Sequence, residues 1–318
     1  MNILVTGGSG FIGSHFIEEM LKRDDVKRIL NVDVLTYAAN RTLPFDNNPK
    51  YKLVVFDIKN SSFIQWLMAE DEIDVVVHFA AESHVDNSIY NADPFVTTNV
   101  YGTYNVLKSS LAYGKLKKFI HVSTDEVYGS LSATDTPFTV NHPYRPNSPY
   151  AASKASSDLM VRSFVQTYQF PAIITNCSNN FGPRQNREKL IPTCIRNLKN
   201  KTPIPLYGNG SNIRDWIYVK DHVNTLIKII DEGKVGKQYL IGGEMEMSNL
   251  ELITNIKERY VALTGQEVDW QWYNTVTDRK GHDQRYAIDN SDLIKEFGRV
   301  DYNNFTKALD ATIVSYIS

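Results

Sequence analysis

Ile3-Leu4-Val5-Thr6-Gly7-Gly8-Ser9-Gly10-Phe11-Ile12-Gly13 is the stretch on which the reading of the whole chain turns. A short apolar run feeds directly into glycines at 7, 10 and 13, the spacing G-x-x-G-x-x-G. A tight turn that lets backbone approach a pyrophosphate needs residues without Cβ. The helix that opens behind it offers free N–H groups to an anion. Twenty positions after Gly13, Asp33 closes the next strand-like run, Arg28–Asp33. A carboxylate there accepts both hydroxyls of a ribose and repels a 2′-phosphate, so NAD is expected rather than NADP. Glycine triplets also arise by chance, and Asp33 alone could be an ordinary turn residue. The strand before, the helix after and the acid at the right distance together favour the dinucleotide.

Outward from this stretch, further short runs recur at Lys52–Phe56, Asp74–Phe79, Lys118–Ser123 and Ala172–Asn176. Most are apolar almost throughout rather than alternating, as in strands buried on both faces of a parallel sheet. Helix-length segments such as Phe11–Lys22 and Asn99–Tyr113 lie between them. The alternation predicts an α/β fold, a doubly wound parallel sheet of Rossmann type. After Asn176 the rhythm breaks into turn-rich text, including Phe181-Gly182-Pro183-Arg184 and Tyr207-Gly208-Asn209-Gly210. Helical segments follow near Leu190–Lys199, Asp221–Asp231 and Leu250–Leu263. The expected division is an NAD-binding domain over 1–176 and a smaller, mixed substrate domain over 177–318, with segments free to return to the first sheet.

Composition narrows the function class. The 318 residues are 42% hydrophobic, enough for a sizeable core. A net charge of −2, from 34 basic and 36 acidic residues, gives no electrostatic case for nucleic acid or an anionic membrane as partner. Cys177 and Cys194 lack zinc-ligand companions and read as two reduced thiols, and no metal is expected. No stretch resembles an export signal or a membrane span, so a cytoplasmic location is expected.

A second motif bears on chemistry. In Asn147-Ser148-Pro149-Tyr150-Ala151-Ala152-Ser153-Lys154, Asn147 or Ser148 can cap a helix and Pro149 suits its first position. Tyr150 and Lys154 then share one face, four residues apart. A nearby ammonium favours a phenolate, and a phenolate is a competent base for a sugar hydroxyl. Such pairs are also common by chance on amphipathic helices. Upstream, the run Lys118–Ser123 ends in Thr124-Asp125-Glu126-Val127-Tyr128-Gly129, at the strand edge where ligands bind in such sheets. In a regular strand Asp125 and Glu126 would point to opposite faces, so both reach one site only if the chain turns there. From the residues alone, catalytic acids and a solvated polar loop stay equally open.

Gly7–Gly13, Tyr150 with Lys154 and a strand-end threonine resemble an extended short-chain dehydrogenase/reductase. The finer resemblance is to the dTDP-glucose 4,6-dehydratases and spans nearly the whole chain. It is carried by 33–38 (DVLTYA), 80–86 (AAESHVD), 122–129 (VSTDEVYG), 177–183 (CSNNFGP), 188–192 (EKLIP), 214–216 (RDW) and 281–283 (GHD). The adjacent acids discriminate most, because related 4-epimerases lack them. The resemblance implies a redox-neutral reaction on a nucleotide sugar. Tyr150 takes the proton of the C4 hydroxyl while the C4 hydride goes to NAD⁺, with Lys154 and Thr124 in support. The C4 ketone acidifies C5. Glu126 removes the C5 proton and Asp125 protonates the departing C6 hydroxyl. The hydride returns to C6 and a proton to C5, leaving a 4-keto-6-deoxy sugar.

The resemblance also implies binding residues. For NAD they are Gly7, Gly10, Phe11, Ile12, Gly13, Asp33, Val34, Leu35, Thr36, Asp57, Ile58, Phe79, Ala80, Ala81, Ser83, Thr98 and Asn180, with Tyr150 and Lys154. For the nucleotide sugar they are Ser83, Thr124, Asn179, Lys189, Leu190, Pro205, Leu206, Tyr207, Arg214, Asn249, Asp278, Arg279 and His282. Arg214 and Arg279 suit phosphate, which guanidinium forks bind bidentately. It implies, too, a homodimer formed through the helices of Asn99–Tyr113 and Tyr150–Tyr168. Three residues depart from the family pattern: Lys280 where proline is expected, Ala39 for glycine and Phe181 for tyrosine. They lie by the nucleotide and sugar pockets and none touches the catalytic set, so a UDP-sugar substrate (UDP-glucose or UDP-N-acetylglucosamine) is one alternative; a 4-epimerase, which needs Tyr150 and Lys154 but not the acids, is the other.

Overall fold

In the computed structural model, residues 1–317 are described. The first half runs β1 (Asn2–Thr6), α1 (Phe11–Met20), β2 (Arg28–Asp33), β3 (Tyr51–Val55), α2 (Ser61–Glu70) and β4 (Val75–His78). It continues with α3 (Val85–Tyr90), α4 (Asp93–Phe95), α5 (Thr103–Tyr113), β5 (Lys118–Thr124), α6 (Pro149–Tyr168) and β6 (Ala172–Cys177). The second half adds β7 (Asn179–Phe181), α7 (Leu190–Lys199), β8 (Ile204–Tyr207), β9 (Ile213–Tyr218), α8 (Val219–Glu232), β10 (Gln238–Ile241) and β11 (Glu246–Ser248). It closes with α9 (Asn249–Thr264), β12 (Tyr273–Val276), α10 (Ser291–Phe297) and α11 (Phe305–Ile317).

Seven strands form one parallel sheet in the order β10-β6-β5-β4-β1-β2-β3. The six expected strands are all present, and β10 is the returning segment that joins the edge beside β6. The order reverses between β1 and β4, so a crevice opens there at the carboxyl ends of the strands. The apolar runs of β1, β2, β4, β5 and β6 are each divided between two cores. On β1, Ile3 and Val5 pack into a core shared with α1, α7, α8, α9 and α11. Leu4 packs into another, with α2, α5 and α6. That two-sided burial is why these strands read as uninterrupted rather than alternating.

The second half builds two small sheets, β11-β9-β7 and β12-β8. β8 alternates, with Ile204 and Leu206 buried and Pro205 and Tyr207 exposed. The helix expected from Asn99 begins earlier, as a widened helical turn over Val96–Gly102, and passes into α5. Wide turns of this kind are frequent at functional sites. Here it lets Asn99 accept from the Glu82 amide at 2.8 Å and donate to Ser153 at 2.8 Å, tying three segments at the crevice. Trp216 and Tyr218 are core residues, and both cysteines are buried free thiols.

Candidate active site

One cavity of about 730 Å³ occupies the crevice. At one end β1 runs into the glycine turn. Gly7 takes φ +72°, a left-handed conformation that side chains strain to adopt. A Cβ on Gly13 would lie 2.5 Å from the Gly7 carbonyl oxygen, so turn and helix can approach this closely only without one. Helix α1 begins after Gly10 with no side-chain cap on its first turn. Its free N–H groups and its positive end therefore stay available to an anion. Asp33, at the end of β2, accepts from the amides of Ser9 at 3.0 Å and Leu35 at 2.8 Å, which hold the carboxylate at the cavity edge. Gly7, Gly10, Phe11, Ile12, Gly13, Asp33, Val34, Thr36, Asp57, Ile58, Phe79, Ala80, Ala81, Ser83, Thr98 and Asn180 all line the cavity. Leu35 does not; its backbone orients Asp33 instead. A glycine cradle, an uncapped helix start and a fixed carboxylate fit a dinucleotide pyrophosphate and its ribose.

The other end of the cavity is built on β5. After Thr124 the strand stops, and Asp125–Tyr128 forms a single tight helical turn. The Thr124 hydroxyl caps it, accepting from the Glu126 amide at 3.3 Å. This is the turn that the two acids require, and both line the same cavity. Their surroundings differ. Asp125 is 1% exposed, with Oδ1 near the Thr124 hydroxyl and Oδ2 without a hydrogen-bond partner among the described residues. Burial, then the charges of Glu126 and Asp215, push its pKa well above the usual carboxylate range. Glu126 is also raised by burial, but Arg279, Arg214 and Lys189 pull it back. Burial gives one carboxyl a reason to keep its proton, and the cations give its neighbour a reason to lose one.

Helix α6 supplies Tyr150 and Lys154. Ser148 caps it, accepting from the Ala151 amide at 3.1 Å, and Pro149 takes the first position. Both side chains reach the cavity, but one expectation is corrected. Burial, followed by the charges of Glu126, Cys177 and Asp125, holds the Tyr150 phenol well above its ordinary value. A hydrogen bond with Thr124 works in the other direction. The Lys154 ammonium donates to the Val122 carbonyl at 2.9 Å rather than pairing with the phenol. Phenolate formation at Tyr150 therefore needs more positive charge than Lys154 alone provides.

The residues expected to hold a nucleotide sugar divide into two groups. Ser83, Thr124, Asn179 and Lys189 line the cavity, and the Lys189 ammonium donates to the Ser83 carbonyl at 2.7 Å. Beyond it, Arg214 is buried, donates to the Asp283 carbonyl at 3.0 Å and stacks 4.4 Å over the Tyr286 ring. Arg279 lies 3.7 Å from Asp86, which also accepts from the Tyr207 hydroxyl at 3.0 Å. His282 pairs with Asp278 at 2.6 Å. Asn249 opens α9, its amide donating to the Asn212 carbonyl, and Leu190 packs partly buried against the core. Leu206 is the correction in this set. β8 alternates, and the pleat that exposes Pro205 and Tyr207 turns Leu206 into the core. Asp86, Asp215 and Tyr286 had no assigned role. Asp86 and Asp215 sit inside the stretches 80–86 and 214–216, which is where a signal for them existed.

The fold and this site define an NAD-type Rossmann enzyme of the short-chain dehydrogenase/reductase class. The family described as GDP-mannose 4,6 dehydratase matches residues 4–310. A dTDP-glucose 4,6-dehydratase of Neisseria gonorrhoeae is 41% identical, covering 99% of this chain and 95% of the relative. The crystal structure of a dTDP-glucose 4,6-dehydratase from Streptomyces venezuelae with NAD and TYD bound superposes with a TM-score of 0.93 at 40% identity, covering 100% of this chain and 97% of that one. A UDP-glucuronic acid 4-epimerase from Bacillus cereus, solved with UDP-glucuronic acid and NAD, reaches a TM-score of 0.89 at 26% identity over 100% and 99% of the two chains. The chain belongs to the dTDP-glucose 4,6-dehydratase family.

Proposed function

We propose that this protein removes water from a nucleotide-diphospho-hexose, with dTDP-glucose as the substrate, and yields the 4-keto-6-deoxy sugar. The observation that carries the reading is the turn at Asp125–Tyr128, which delivers two adjacent acids with different charged neighbours to one cavity with Tyr150. An epimerase shares the fold but has no use for that pair. NAD, held by the glycine turn and Asp33, supplies hydride uptake and return, so the reaction leaves no net oxidation.

The chain's own residues then divide the proton work. With the positive charge of the oxidised nicotinamide added to that of Lys154, Tyr150 would ionise and take the proton of the C4 hydroxyl, with the Thr124 hydroxyl beside it to hold that oxygen. Glu126 takes the proton at C5 once the neighbouring carbon is a ketone. Asp125 gives its proton to the C6 hydroxyl, which leaves as water. Lys189, Arg214 and Arg279 supply the positive charge for the diphosphate, and the division at about residue 176 leaves most cofactor contacts on the first part and most sugar-nucleotide contacts on the second, with Ser83, Thr124 and Asn180 crossing it. Exposed apolar side chains on 96–102, α5 and α6 (Val96, Tyr101, Leu111, Leu159 and Tyr168) support a homodimer through those helices. Two unpaired thiols suit the cytoplasm, and no described helix is long and apolar enough to cross a membrane.

The test is parallel incubation with dTDP-glucose, UDP-glucose and UDP-N-acetylglucosamine without added reductant, followed by mass spectrometry. A product lighter by one water, formed fastest from dTDP-glucose, is the expected result. A product of unchanged mass would make the protein an epimerase. Faster dehydration of a UDP-sugar would reassign the nucleotide.

A further inference from the structure

Asn176 interrupts an apolar face. Ala172, Ile174 and Asn176 lie at alternate positions of β6, on the side that packs with α6, and the first two are the apolar residues such a face requires. Asn176 is 0% exposed. A buried amide is costly unless its donors and its acceptor are all met, and here they are. Nδ2 donates to the Thr124 carbonyl at 3.0 Å and to Asp158 Oδ2, on α6, at 2.9 Å. Oδ1 accepts from Gln238 Nε2, on the neighbouring strand β10, at 2.7 Å. Reversing the Asn176 amide would set donor against donor at Gln238 and acceptor against acceptor at Thr124, so its orientation is dictated by its partners. Gln238 Nε2 also lies 2.8 Å from the hydroxyls of Tyr128 and Tyr144, and Tyr144 donates to Asp158 Oδ2 at 3.0 Å.

Both ends of the turn that carries the acids are thereby tied to one pair of amides. Thr124 precedes the turn, and its carbonyl belongs to the peptide plane from which Asp125 departs. Tyr128 ends the turn. Between them the Arg145 amide donates to the Val127 carbonyl at 3.0 Å. The second Nδ2 proton of Asn176 goes to the helix that presents Tyr150. We propose that Asn176, held in place by Gln238, is a positioning residue: it sets the Thr124–Asp125 peptide plane, and with it both acids, against α6. The inference rests on the functional reading given above. Thr124 and Tyr150 have supports of their own. Thr124 is paired with Cys177 in the sheet, and the Tyr150 amide donates to the Ser88 hydroxyl at 3.1 Å. Oxidation at C4 therefore depends on the Asn176 amide less than water loss does.

The test compares wild type with Asn176→Ala and Gln238→Met. Stopped-flow absorbance at 340 nm reads C4 oxidation of dTDP-glucose, and mass spectrometry of quenched samples reads water loss. Misplacing a reacting group by about 1 Å costs about 10²-fold in rate. Water loss in Asn176→Ala should fall by about that factor while C4 oxidation and bound NAD stay near wild type, so that reduced cofactor accumulates. Gln238→Met, which loosens the amide without removing it, should show a smaller version of the same split. Equal falls in the two rates overturn the inference, because they mark loss of the whole site, and so does unchanged water loss. If Asn176→Ala does not fold, Gln238→Met decides by the same criteria. Hydrogen exchange of the 124–129 amides, measured without substrate, separates this inference from the functional reading. It should rise by about tenfold in the variants while exchange in α1 stays unchanged. Unchanged exchange at the turn overturns the inference. A wild type that releases no dehydrated product sinks the functional reading alone, and exchange at the turn still decides whether the amides anchor it.

Discussion

Two turns of this molecule leave the same edge of the same sheet and work in opposite ways. The turn after β1 binds with backbone. Its glycines clear space, its helix offers N–H groups, and almost nothing in it titrates. The turn after β5 works with side chains. Asp125 and Glu126 come from consecutive positions, and their chemistry is set by what is packed around them: burial raises both, Arg214 pulls both back, and Arg279 and Lys189 add their pull on Glu126. The first turn can hold a cofactor in any reaction. In the proposed function the second chooses the reaction, and a 4-epimerase with a TM-score of 0.89 shares the scaffold.

The comparison breaks most readily at Tyr150. A positioned base contributes about 10² to 10⁴ in rate. Tyr150→Phe should lower the transient 340 nm absorbance rate by about that factor, while cofactor still co-purifies. Loss of cofactor together with rate would mean that the helix, not the hydroxyl, was the essential part. At the backbone turn the opposite split is expected. In Gly13→Ala the new Cβ meets the Gly7 carbonyl oxygen and Gly8 Cα at 2.5 and 2.8 Å. The backbone must shift, at a cost of about 1–3 kcal/mol. Thermal unfolding and the NAD content of purified protein report this directly. An unchanged NAD content would break the claim that close approach is what the glycine provides.

A smaller effect is expected from charge. Asp33→Asn removes the repulsion that a 2′-phosphate meets, so the preference for NAD over NADP should fall by about tenfold. Equilibrium binding of the two dinucleotides to stripped protein measures it. The smallest effect concerns pH. In the proposed mechanism Glu126 acts ionised and Asp125 protonated, so kcat should rise as pH passes the raised pKa of Glu126 and fall as it passes that of Asp125, which burial pushes well above the usual carboxylate range. Arg279 is the first of the groups that pull Glu126 down. Arg279→Gln should therefore move the acid limb upward by about one unit at most, leaving the alkaline limb in place.

The two turns also differ in how far the sequence exposes them. Geometry dictates glycine at 7 and 13 and an acid at the end of β2, and such demands are written in residue type and spacing. All six strands expected in the first half formed: in five of them two-sided burial leaves an apolar run that no loop would keep, while β3 is an edge strand with Leu53 and Val55 exposed. Asp125 and Glu126 were harder. Adjacency placed them on opposite faces until a turn was known, and only their resemblance to a family motif favoured catalysis. The protonation of Tyr150 and the burial of Leu206 depend on neighbours distant in sequence, which residue type does not reveal. Asp86 and Asp215 lay inside the motif stretches 80–86 and 214–216 but carried no role of their own, because residue type does not reveal a carboxylate's partners.

The claim that the two acids divide the proton work is tested most directly in D₂O, with dTDP-glucose and the variants Asp125→Asn and Glu126→Gln. The account predicts that Asp125→Asn still exchanges the C5 hydrogen for deuterium while releasing little dehydrated product, and that Glu126→Gln does neither. Exchange in Glu126→Gln, or water loss at the wild-type rate in Asp125→Asn, would contradict the assignment of base and acid.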